Sequence, residues 1–410
     1  MLSLNDKLIN YAKLIVNNGI NLQNGQTLYI NSTMECEDFT SIVVEEAYKI
    51  GAKYVHVNWI SNKCKRARYQ YSKKEYLEEY PKFLVDCING ADEINAAYLS
   101  ITVPNPDALK GIDSERISIE SKASNLALKN HSKYILNSVL SWCVVNVPSP
   151  TWASKVFPNL PIDEALDKLY DIVLSAVRAD NDNVVESWKN HTKTLFERTT
   201  KLNNLHIKTM HYKSPTIDLS VDLPEGAIWQ GGSEKNANGI EFIANIPTEE
   251  IFTTPYRTGV NGWLKNTKPF NYRGSLIENF TLHFKDGKVV DFTCEDNYDL
   301  LKKLIETDEG SCYLGEVALV PNSSPINQSG VIFNSTLFDE NASCHFAFGS
   351  CYATTIKNGE NMSDEELKNA GGNISLVHED FMVGSADLNI TADTFDGNVV
   401  DIFINGEFVI

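Results

Sequence analysis

The chain lacks an excess of basic residues, any long apolar run and any paired cysteine motif, and each absence excludes a class of function. Its 410 residues include 36 Lys and Arg against 54 Asp and Glu, a formal net charge of −18. Such acidity repels phosphate backbones, so no nucleic-acid partner is expected. No stretch approaches the ~18 apolar residues that a membrane-spanning helix requires, so no membrane partner is expected either. The eight cysteines, at positions 36, 64, 87, 143, 294, 312, 344 and 351, contain no C-x-x-C pair. Free thiols in a reducing cytoplasm are therefore expected, not a secreted disulfide framework. Residues 1–20 carry Asp6 and alternate polar with apolar positions at helical spacing, unlike the continuous apolar core of a secretion signal. Without such a signal the Asn-x-Ser/Thr triplets at Asn31 and Asn341 carry little meaning, and the expected location is the cytoplasm.

What is present suffices for real cores. Hydrophobic residues make up 42% of the chain and aromatics 10%, at a length that suggests two domains or three. In the first half, residues 4–18 read as an amphipathic helix, 27–30 as a short strand, 37–50 as a helix closed by Gly51, and 53–59 as the next strand. Strand, helix and strand with short links make a βαβ unit, which demands a parallel pair. The stretches 93–100, 134–146 and 162–177 continue the alternation toward a doubly wound sheet. Neither G-x-G-x-x-G nor G-x-x-x-x-G-K-[ST] occurs there, so a nucleotide site has no support. The basic run Lys63-Cys64-Lys65-Arg66-Ala67-Arg68 reads best as a solvated helix face, with a dimer contact or attraction of an acidic substrate as alternatives. Near residue 185 the texture changes. A connecting helix over 184–202 leads into strands at 206–211, 216–219, 239–244, 276–284 and 288–293, the last two joined by the hairpin signal Asp286-Gly287. The expected fold is a doubly wound α/β domain over 1–190, followed by an α+β domain over 191–410 with mainly antiparallel strands.

Four segments of the second domain hold acidic residues or histidines that ordinary packing does not explain. Leu314-Gly315-Glu316-Val317-Ala318-Leu319-Val320 reads as a buried strand apart from Glu316, and an ionised carboxylate there needs a cation or hydrogen bonds. An edge strand with Glu316 facing water is an equal alternative for this segment alone. In Ser375–Val383, strand period two sets His378 and Asp380 on one face with Leu376 and Met382, and Glu379 on the other. That apolar company favours a buried polar site. Across 338–352, a helical reading brings His345 and Tyr352 to one face, an inference that Gly349 weakens. Cys344 beside His345 reads as an inert core cysteine, because adjacent side chains rarely converge as a nucleophile and its base. Within Pro247–Pro255, strand alternation lets only one of Glu249 and Glu250 point into a site, and a solvated acidic turn is the favoured reading of this segment taken alone.

Together these segments supply Glu250 (or Glu249), Glu316, Glu340, His345, His378 and Asp380. Four carboxylates and two imidazoles suit two divalent ions with one carboxylate bridging. An ion pair ~3.5–4 Å apart polarises a carbonyl and activates water. With no H-E-x-x-H and no G-x-S-x-G, a mononuclear zincin and a serine hydrolase are both unsupported.

Thr248-Glu249-Glu250-Ile251-Phe252-Thr253-Thr254-Pro255, Gly315-Glu316-Val317-Ala318-Leu319-Val320, Asn341-Ala342-Ser343-Cys344-His345 and His378-Glu379-Asp380-Phe381-Met382-Val383-Gly384-Ser385 resemble the M29 family of metallo-aminopeptidases. The motifs stand in order with matching spacing, and the similarity covers the whole chain. The resemblance implies a dinuclear site ligated by Glu250, Glu316, Glu340, His345, His378 and Asp380, with Glu316 the bridge and Tyr352 stabilising the oxyanion. It further implies two ions of zinc, cobalt or manganese, short peptide substrates with a free N-terminus, and a homodimer with enclosed clefts. One departure is Glu379, where the family more usually has an apolar residue; on the far strand face it leaves the ligand set intact. The expected activity is release of N-terminal amino acids. A dinuclear amidase acting on non-peptide substrates and a non-enzymatic metal-binding protein are its rivals.

Overall fold

The βαβ pattern near the N-terminus builds a five-stranded sheet in the order Tyr54–Ile60, Thr27–Thr33, Ala97–Thr102, Trp142–Asn146 and Asn245–Ile246. Every neighbouring pair is parallel. Leu28, Ile30, Leu99, Ile101 and Val145 are almost wholly buried, as expected of strands covered on both faces by crossover helices. The computed structural model describes all residues except Met1, Pro106, Arg273 and Gly274. By contact, the chain divides into two units: Met1–Asn190 with Ser233–Pro247, and His191–Gly232 with Thr248–Ile410. The excursion over 233–247 supplies the last parallel strand of the first unit.

Several element boundaries differ from the sequence expectations. Within 134–146, Lys129–Leu136 is helical and only Trp142–Asn146 is strand. The stretch 276–284 is two strands, Ser275–Ile277 and Thr281–Lys285, parted where Asn279 takes a left-handed φ of 50°, a conformation Asn tolerates better than most residues. The strand at 239–244 shrinks to Glu241–Phe242. The hairpin at Asp286-Gly287 forms as read, with φ of 51° and 81° between the paired Lys285 and Lys288, the double positive φ of a type I′ turn. In the basic run, Arg66 donates to Lys110 O at 2.8 Å and Arg68 to Glu120 at 2.6 Å. Those two guanidiniums are engaged within the unit, whereas Lys63 and Lys65 are exposed.

The second unit contains two main sheets. The larger has eight antiparallel strands: Lys288–Thr293, Thr281–Lys285, Val260–Lys265, Ile217–Asp222, Ile207–Ser214, Asn389–Thr394, Val399–Ile404 and Glu407–Phe408. The smaller runs Ile251–Thr253, Leu314–Leu319, His345–Gly349, His378–Met382, also antiparallel. One hydrophobic core joins them, with Tyr212 of the large sheet and Phe346 of the small one at a ring separation of 5.2 Å.

Candidate metal centre

Strand alternation gives the small sheet two chemically different faces. Phe346, Phe348 and Phe381 belong to the hydrophobic core, so His345, Ala347, His378 and Asp380 fall on the opposite face. The register sets Glu316, Ala347 and Asp380 in one row across three strands, and the small Ala347 leaves room between the two carboxylates. Glu316 reaches this face through a bulge: the pairing slips between Leu314 and Glu316, and a bulge re-aims the side chain that follows it. Gly315 is required there, because a Cβ would collide with Gly349 O and Ser350 O. Glu316 is 4% exposed on an interior strand buried along its length, so the water-facing edge alternative does not hold.

Three further expectations need correction. The segment carrying His345 is strand, not helix, so His345 and Tyr352 do not converge through helical spacing. Tyr352 instead follows the strand, its ring 4.8 Å from that of His378 and 5.7 Å from Phe252. Leu376 lies outside the strand and is 86% exposed; the apolar neighbour that encloses the site on this strand is Met382. The acidic pair at 249–250 is no solvated turn: Glu249 is 5% exposed. Glu250 faces His345, and the Glu249 carboxylate lies 3.6 Å from His191 Nε2.

The geometry centres on Glu316. His345 Nε2 lies 3.5 Å from Glu316 Oε1 and 3.1 Å from Glu250 Oε2. His378 Nε2 lies 3.4 Å from Glu316 Oε2 and 3.5 Å from Asp380 Oδ1. Among the described residues this yields two three-atom donor groups, Glu250–Glu316–His345 and Glu316–His378–Asp380, each within 4.8 Å and sharing Glu316. Glu340 belongs to neither, yet the charges of Glu250 and Asp380 act on it. Both imidazoles turn Nδ1 to a backbone carbonyl: His345 to Ser343 O at 3.1 Å, His378 to Ser350 O at 2.7 Å. Donation through Nδ1 fixes the tautomer and leaves Nε2 as the ligand atom, the usual outer shell of a metal-bound histidine.

The electrostatics fit a cation-binding site. Burial pushes the Glu340 carboxyl well above its usual range, and Glu250 and Asp380 push it further. Burial likewise raises Glu250, against the pull of His345. Burial would also raise Glu316, but bonds from His345 and His378 bring it down to about 2. Burial would lower both imidazoles; their carboxylate partners override it and raise each well above 6.5. Asp380 Oδ1 is buried with no hydrogen-bond partner among the described residues. A divalent ion bound there would compete with protons for these side chains. The imidazoles stabilise the metal-free fold fully below pH 6.5 and lose that contribution as pH rises through their raised values. Glu316 acts oppositely, contributing above 4.5 and failing only as pH falls through about 2. Metal affinity is therefore expected to rise with pH from 6 to 8, with net release of protons on binding. Calorimetry in buffers of different ionisation enthalpy measures this, and binding without proton release would contradict it.

Cys344 plays no chemical part in this geometry. It is 1% exposed, its thiol bridges Val320 N and O, and burial pushes it to about 11. Cys344→Ser keeps a donor and acceptor at that position and is expected to retain substantial activity. Complete loss with metal still bound would give the thiol a role.

Two candidate donor groups that share Glu316, in a chain with an α/β unit and an α+β unit, are of the kind a metal-dependent hydrolase uses. The family described as thermophilic metalloprotease, M29, matches residues 4–408. Aminopeptidase AmpS of Bacillus subtilis is 45% identical over 99% of both chains, and aminopeptidase T of Thermus aquaticus 35% identical, again over 99% of each. The wild-type AmpT structure from Thermus thermophilus superposes with a TM-score of 0.92 at 34% identity, covering both chains fully. The chain belongs to the M29 family of metallo-aminopeptidases and is an enzyme of that class.

Proposed function

We propose that the chain releases N-terminal amino acids from short peptides at a site for two divalent ions, ligated by Glu250, Glu316, Glu340, His345, His378 and Asp380. The observation that carries this reading is the placement of Glu316, one oxygen toward each imidazole, as a bridging carboxylate requires. Oxygen-rich donors with two nitrogens fit zinc, cobalt or manganese. Such ions supply a water of near-neutral pKa and polarise the scissile carbonyl.

The chain's own residues do the rest. His345 and His378 are held in orientation by Ser343 O and Ser350 O. Tyr352 packs its ring on His378, where desolvation and the nearby charges of Glu316 and Asp380 keep its hydroxyl protonated, and in this reading it donates to the carbonyl oxygen as negative charge develops. Glu316 or Glu340 takes the proton of the attacking water. The acidic surroundings attract a protonated N-terminus and offer nothing to an acylated one. We place the protein in the cytoplasm, in keeping with eight free cysteines, and as a homodimer, on the family resemblance.

Native mass spectrometry tests the ion count, with two per chain expected. Digestion of a pentapeptide should give a ladder shortened only from its N-terminus. A single ion, or internal cleavage, would contradict the reading.

A further inference from the structure

The ligand-bearing segments around Glu250 and Glu340 come from distant parts of the sequence, and one buried side chain spans them. Asn341 directly follows Glu340 and has no solvent exposure. Its Oδ1 accepts the backbone N–H of Glu249, the residue before Glu250, at 2.7 Å. Its Nδ2 donates to Leu337 O at 3.1 Å, and its own carbonyl accepts from Ser324 Oγ at 2.6 Å. The amide is thus fixed at both ends and cannot swing to relieve a change in spacing.

We infer that Asn341 is a positioning residue whose side chain sets the separation of the Glu250 and Glu340 carboxylates. The inference rests on the ligand assignment above. Its physical basis is geometric: the bond from Glu249 N–H to Asn341 Oδ1 is a short, fixed-length tie between the two segments that carry these carboxylates. Outer-shell partners that orient ligands in this way are worth ~10–100-fold in metal affinity. The buried position of Asn341 also rules out glycan attachment at its Asn-x-Ser triplet.

Cobalt(II) titration of chelator-stripped full-length protein, followed by visible absorption, tests the inference. Asn341→Ala is expected to weaken cobalt binding by about 10–100-fold. Asn236→Ala removes a comparably engaged buried amide, bonded to Ser141 Oγ and to Asn238 and Ile240 N–H in the first unit, and should leave affinity unchanged. A loss of structure alone would move the melting temperature of both variants but the cobalt affinity of neither. Wild-type affinity in Asn341→Ala would overturn the inference. If Asn341→Ala does not fold, Asn341→Gln decides: Gln keeps the amide but adds a methylene and should bind cobalt more weakly than the wild type, and wild-type affinity would overturn the tie. Failure of the wild type itself to take up cobalt would instead overturn the ligand assignment, and the positioning role with it.

Discussion

Glu316→Gln is expected to lower kcat/KM by more than about 100-fold, beyond what changes to outer-shell partners achieve, while the protein remains folded. The substitution is nearly isosteric, so it opens no cavity on a strand that is buried along its length. It removes the one anionic group among the described residues that lies within 4 Å of both imidazoles, at 3.5 Å from His345 and 3.4 Å from His378. An amide has a single good acceptor oxygen and no charge, so it cannot serve two cations at once. The histidines keep their other partners, Glu250 for His345 and Asp380 for His378, which is why folding survives. Steady-state kinetics with circular dichroism checks both halves of this expectation. Turnover near the wild-type value would remove Glu316 from the bridging position.

Tyr352→Phe is expected to lower kcat by ~10²–10³-fold, the usual cost of one oxyanion donor, with metal content and KM little changed. Phe retains the ring contacts to His378 and Phe252, so only the hydroxyl is tested. Burial first, then the charges of Glu316 and Asp380, hold its pKa well above the phenol's ordinary 10. The proton needed for donation is therefore present across the working pH range, and the kcat deficit should not depend on pH between 6 and 9. A kcat within a few-fold of the wild type would exclude the hydroxyl from the chemistry.

Much of the fold could be read from local pattern, because hydrophobic period and turn residues are local signals. The N-terminal βαβ unit and the Asp286-Gly287 hairpin are of that kind. The return of 233–247 to the first sheet was not legible, since its strand Asn245–Ile246 has only two residues and no period to detect. At the site, the alternation of His378 and Asp380 could be read because a strand fixes it. The conditional helical reading of 338–352 holds only to Ala342, because Phe346 and Phe348 alternate as a strand whose core is supplied by distant residues such as Tyr212. The tie from Asn341 to Glu249 leaves no mark in a single sequence, and the bulge that turns Glu316 leaves only Gly315, beside an otherwise buried apolar run. His191, whose Nε2 lies 2.8 Å from Thr248 O, was missed because its helix gives no sign of what it faces.

Hydrolysis of leucine p-nitroanilide by chelator-stripped protein, before and after adding cobalt or zinc, tests the central claim most directly. The stripped protein should be inactive, either metal should restore turnover, and the N-acetylated analogue should resist cleavage throughout. Full activity without metal, or equal cleavage of the acetylated analogue, would contradict a metal-dependent aminopeptidase.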